Sequence, residues 1–124
     1  LPDLLPVADV VVLAVPLDET TRGLVDATFL KRMKDGSLLV NVARGAVADT
    51  DALLAEAGRL QFALDVTDPE PLPPGHPLWQ SPGVLISPHV GGNTSAFLPR
   101  VARLVDEQAR RWISGESVLH VIVS

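Results

Sequence analysis

The sequence predicts an α/β fold: a parallel sheet with flanking helices. Two observations predict it. Four short apolar runs, rich in β-branched residues, recur along the chain at Val10–Val15, Leu38–Val40, Phe62–Val66 and Val84–Ile86. Each is nearly continuous rather than alternating, which suits strands buried on both faces of a parallel sheet. Helix signals fall between the first three runs, and the order strand, helix, strand, helix, strand implies right-handed crossovers.

The elements follow in order. After the first run, Asp26 can cap a helix whose apolar face is Phe29, Leu30 and Met33, with Gly36 as its stop. Asp49 can cap a second helix carrying Leu53 and Leu54, ended near Gly58. Residues 67–83 break the pattern. The stretch 67–77 holds five prolines and predicts an irregular loop, which Leu78 and Trp79 can pin to the body. A last helix is predicted from Thr94 or Pro99 to Ser114. Val101, Leu104, Val105, Gln108 and Trp112 recur in it at helical spacing, and Gly115 ends it. Pro99 fits its first turn. The tail Val118–Val123 is apolar and strand-like, with no obvious partner in the chain. Its expected place is against a further domain, giving a dinucleotide-domain portion over 1–115 and a tail over 116–124.

Composition narrows the function. The 124 residues suit one domain; they are 47% hydrophobic and 20% charged, with a net charge of −5. An acidic chain is a poor match for nucleic acid or an anionic membrane surface, so neither is expected as a partner. Cysteine is absent, which excludes disulfides and thiolate metal sites. His76, His89 and His120 lie far apart without helical ligand spacing, so no metal site is expected. There is no G-x-S-x-G elbow and no G-x-G-x-x-G loop. No secretory signal pattern is visible, which makes a cytoplasmic protein the expectation. The chain starts at Leu1 and runs almost at once into a strand, so it reads as a piece of something longer.

In an open parallel sheet, ligands bind beyond the C-terminal ends of the strands. Asn41-Val-Ala-Arg-Gly45 follows the second run. Asp65 closes the third, and Glu70 comes soon after. Ser87-Pro-His-Val-Gly-Gly92 follows the fourth. A cation, an acid and an imidazole on adjacent strand ends can converge on one cleft. On residue types alone other readings stay open. Arg44 also fits a solvated loop, Glu70 a surface carboxylate, His89 a packed histidine and Asp65 a cap on a neighbouring turn.

Read together, these segments resemble the D-isomer-specific 2-hydroxyacid dehydrogenases. Ala8–Leu17 and Thr21–Leu24 are similar to that family's central strand and following turn. Met33–Gly45 resembles its arginine motif, Ala63–Leu72 its glutamate motif and Pro82–Gly92 its histidine motif. Three motifs in order, at suitable spacing, make the signal specific. The resemblance implies a partial Rossmann-like sheet. It implies hydride transfer between NAD or NADP and a small D-2-hydroxy or 2-keto acid.

The roles also come from the resemblance. His89 would be the general acid on the carbonyl oxygen, and the base in the reverse direction. Glu70 would hydrogen-bond His89 and favour its protonated form. Arg44 would hold the substrate carboxylate, which its planar guanidinium fits. Asp65 would accept from the nicotinamide carboxamide. Pro16, Val42, Ala43, Arg44, His89, Val90, Gly91 and Gly92 would line the cofactor, with Thr21 nearby. A homodimer is implied for the complete protein, or a partner chain carrying the missing half. A non-catalytic, NAD(H)-sensing module of the corepressor type is the alternative reading. The sequence departs from the family in lacking the glycine-rich phosphate loop and the substrate domain. The helix over Leu53–Leu60 also looks about two residues short, roughly half a turn.

Overall fold

The structure, a computed structural model, describes residues 3–121. The chain divides into two units, one through Val90 and one from Gly91. The first holds strand β1 (Val10–Leu13), helix α1 (Ala27–Arg32), strand β2 (Leu38–Asn41), helix α2 (Thr50–Glu56) and strands β3 (Gln61–Leu64) and β4 (Val84–Ile86). The four strands form one sheet in chain order, every pair parallel. The predicted α/β class is therefore what the chain adopts.

Local chemistry explains the helices. Asp26 accepts from the Phe29 amide at 2.7 Å, and Asp49 from the Asp51 and Ala52 amides at 2.9 and 3.0 Å. Each carboxylate satisfies amides that a helix start leaves unpaired. At the other end of α1 the cap is Met33, three residues before the expected Gly36. Arg59 takes over there. Its guanidinium donates to the Leu30 and Met33 carbonyls at 2.8 and 3.0 Å, so no glycine is needed to end the helix. The side-chain bond to Asp35, then that to Glu56, holds Arg59 above its ordinary pKa.

Burial departs from the expectation. Leu39, Phe62 and Leu64 join Val25, Leu30, Val47 and Leu53 in one core cluster. Alternate strand residues are less buried, and Val10, Val12 and Leu85 are exposed at 54%, 57% and 69%. The strands thus bury one face deeply, although their sequences read as buried on both. The reason is that α1 and α2 pack together within that single cluster, and a strand's side chains alternate between faces.

The strands are also shorter than the apolar runs. β1 stops at Leu13, and Ala14 and Val15 lie beyond it. β3 stops at Leu64, so Asp65 lies just past the strand; its amide still bonds the Asn41 carbonyl at 3.0 Å. Within the proline-rich stretch a 3-10 turn forms at Pro77–Gln80, where an irregular loop was expected. Proline at its first position needs no amide partner, and the His76 ring accepts from the Leu78 amide at 3.3 Å. Leu78 is buried as expected. Trp79 is half exposed, and its indole instead ties the loop to itself by donating to the Pro73 carbonyl at 3.0 Å.

The second unit holds helix α3 (Phe97–Ile113), with Pro99 in its first turn and Gly115 just beyond its end at φ 72°. No residue of α3 is buried. Val118–Val121 form no strand, contrary to the reading of the tail; Ile122 and Val123 lie outside the described residues. The Gln108 side chain bonds both backbone groups of Leu119, at 3.1 and 2.9 Å, and so occupies groups that a ladder would use. Among the described residues no helix is long and apolar enough to cross a membrane.

Candidate active site

Every candidate residue of the first unit lies on a loop that follows a strand, at the C-terminal edge of the sheet. Parallel strands put all four of those ends on one edge, which is why residues distant in sequence share it.

Glu70 and His89 meet. Glu70 Oε1 lies 2.6 Å from His89 Nδ1, and both side chains remain partly open to solvent. Glu70 sits in the proline-rich loop between the cis peptides Asp68–Pro69 and Glu70–Pro71. His89 has a backbone φ of 54°. That left-handed conformation is uncommon outside glycine, and its amide closes a tight turn onto the Ser87 carbonyl at 3.0 Å. The pair lines a cavity of about 280 Å³ with Asp65, Thr67, Pro71, Leu72, Trp79, Ile86, Ser87 and Pro88.

Asp65 is buried and engaged. Its Oδ1 accepts from the Ser87 hydroxyl at 2.6 Å and from the Val90 amide at 2.9 Å. These partners offset the cost of burying a carboxylate.

Arg44 occupies a different position from the pair. It is exposed, its guanidinium donates to the Ala43 carbonyl at 2.6 Å, and it lines a neighbouring cavity of about 520 Å³ with Ala14, Val15, Pro16, Leu17, Val42 and Ala43. The structure therefore brings Glu70, His89 and Asp65 together, and sets Arg44 with the predicted cofactor residues Pro16, Val42 and Ala43. Thr21 spends its hydroxyl on the Pro16 carbonyl at 2.7 Å and so braces that wall from behind. In the same turn the Thr20 hydroxyl, followed by the Thr20 and Thr21 amides, holds the Asp18 carboxyl below its ordinary pKa. Gly91 and Gly92 open the second unit, and both are exposed.

Three residues with organising roles escaped the sequence reading. Asn41, almost wholly buried, accepts from the Ala43 amide at 3.0 Å and donates to the Arg44 carbonyl at 3.1 Å, shaping the arginine loop. A lone amide at the end of an apolar strand was the available signal. Gly45 lies so close to the next loop that a Cβ there would overlap the Thr67 carbonyl. This approach ties the arginine loop to the one that carries Glu70. Ser87, the third, binds Asp65. Nothing in the sequence marks its hydroxyl.

Residues 1–91 match the model of the D-isomer specific 2-hydroxyacid dehydrogenase NAD-binding domain. The chain belongs to that family. Among its dehydrogenase relatives, a glyoxylate reductase of Thermofilum pendens is 39% identical over 91% of this chain and 34% of its own length. A D-isomer specific 2-hydroxyacid dehydrogenase from Xanthobacter autotrophicus, solved with NADPH and MES, superposes with a TM-score of 0.87 at 38% identity, over 98% of this chain and 51% of that one. The D-mandelate dehydrogenase of Rhodotorula graminis superposes with a TM-score of 0.89 at 31% identity, over 99% and 36%. The chain thus spans about a third to a half of these dehydrogenases.

Proposed function

We propose that this chain supplies the proton-transfer pair and one cofactor-facing wall of a NAD(P)-dependent D-2-hydroxyacid dehydrogenase. The observation that carries the proposal is the 2.6 Å contact between Glu70 and His89 at the rim of a cavity. With Nδ1 committed to the carboxylate, the other ring nitrogen, Nε2, is the atom left to exchange a proton with substrate. In reduction of a 2-keto acid, Nε2–H protonates the carbonyl oxygen as C2 becomes tetrahedral; in oxidation Nε2 takes that proton back. Glu70 orients the ring. Arg44 extends from the adjacent loop, where a swing of its side chain away from the Ala43 carbonyl would bring the guanidinium to the substrate carboxylate.

The residues of the neighbouring cavity fit a nicotinamide. Val15 and Val42 are exposed apolar groups beside Pro16, at the strand ends where a flat ring can lie against them. The bound cofactor would supply or accept the hydride. In this reading Asp65 would receive the carboxamide, the role that its motif implies. The relatives include enzymes named for glyoxylate and D-mandelate, so the substrate class proposed is a small 2-keto or 2-hydroxy acid. The sensing-module alternative gains nothing from the Glu70–His89 pair, which binding alone does not require. A cytoplasmic homodimer belongs to the same reading.

The test is a reductase assay on the full-length gene product with glyoxylate, hydroxypyruvate and pyruvate. Arg44→Ala is expected to lower kcat/KM by orders of magnitude, because a positioned charge-assisted contact is lost. Kinetics unchanged by the substitution would remove Arg44 from the mechanism. No turnover of any 2-keto acid by the parent would refute the function.

A further inference from the structure

We infer that Asp65 and Ser87 are positioning residues that hold His89 in line with Glu70. The inference rests on the reading of Glu70 and His89 as the proton-transfer pair. A chain of contacts leads to it. β3 and β4 pair with Leu64 opposite Ile86, so the next residues, Asp65 and Ser87, leave the sheet side by side. The Ser87 amide still bonds the Leu64 carbonyl at 2.9 Å. From there Asp65 ties the strand-end turn to the body of the unit: its Oδ1 receives the hydroxyl of residue 87 and the amide of residue 90. The two bonds bracket His89.

That bracket has a physical task. His89 is left-handed at φ 54°, a conformation that an L-residue keeps only where the surroundings hold it. A turn fixed at both ends on one buried oxygen is such a constraint. Were it released, the backbone of residue 89 would relax towards commoner angles, and the imidazole would swing away from Glu70. Asp65 thus acts on the pair through backbone geometry, in addition to the carboxamide contact proposed above.

The test reads the imidazole directly and needs no turnover. In the ¹⁵N-labelled chain, His89 should show an Nδ1–H proton held by Glu70. Ser87→Ala should lose that signal and shift His89 towards the Nε2–H form of free imidazole, while the folded-state signals of Leu39 and Phe62 persist. Ser87→Thr, which keeps the hydroxyl, should restore it. A folded Ser87→Ala chain with the His89 signal intact would overturn the inference. If Ser87→Ala does not fold, the parent chain decides. On warming, the Val90 amide and the His89 Nδ1–H should broaden together, before the β2 and β3 amides; separate loss would overturn the idea. Because these readouts are independent of catalysis, the strut can fail while the dehydrogenase reading stands, and the reverse.

Discussion

In the proposed reading His89 carries the transferred proton, and it does so on a strained backbone. A left-handed L-residue costs about 1–2 kcal/mol, and the 2.6 Å contact with Glu70 is what the conformation achieves. In the full-length enzyme, Glu70→Gln takes the carboxylate partner from His89 Nδ1 and should lower kcat/KM for reduction by about 10²-fold or more. Steady-state kinetics of the two proteins check this, and coincident values would dissolve the pair as a functional unit.

Among elements, the loops after β2 and β3 are tied by an absence of side chain. Gly45 packs its Cα against the Thr67 carbonyl, and its requirement for glycine is steric, since it is not among the residues with positive φ. Gly45→Ala should force the two loops apart and cost about 1–3 kcal/mol, the usual penalty for overpacking. Urea unfolding measures it; a midpoint unmoved by the substitution would mean that the loops part freely. The same separation should carry Arg44 away from Glu70 and His89. The helices obey more local rules: Asp26 and Asp49 each cap the helix that follows them, which is why both caps were legible in the sequence. The end of α1 was not, because Arg59, 29 residues away in sequence, caps it from the turn that follows α2.

At the scale of the first unit, stability rests on one face of a four-stranded sheet. Phe62, on β3, is the largest fully buried side chain. Phe62→Ala should cost about 3–5 kcal/mol, a large share of the 5–15 kcal/mol typical of a domain. Thermal or urea denaturation tests it, and a loss below about 1 kcal/mol would show that the cluster is not the core. The exposed Val10, Val12 and Leu85 mark the other face. Continuous apolar runs led to an expectation of burial on both sides; within the first unit α1 and α2 cover one of them.

By itself the sequence located the four strands and the helices between them, the acids that cap two helices, and the order of the arginine, glutamate and histidine motifs. All of these depend on neighbours within a few positions. Only the tertiary structure decided that Glu70 reaches His89 across 19 residues and Asp65 reaches Val90 across 25. It also decided that Arg44 lines a separate cavity and that Gly45 must be bare. Such contacts are set by the register of parallel strands, which places distant loops on one edge and leaves no periodic trace in the chain.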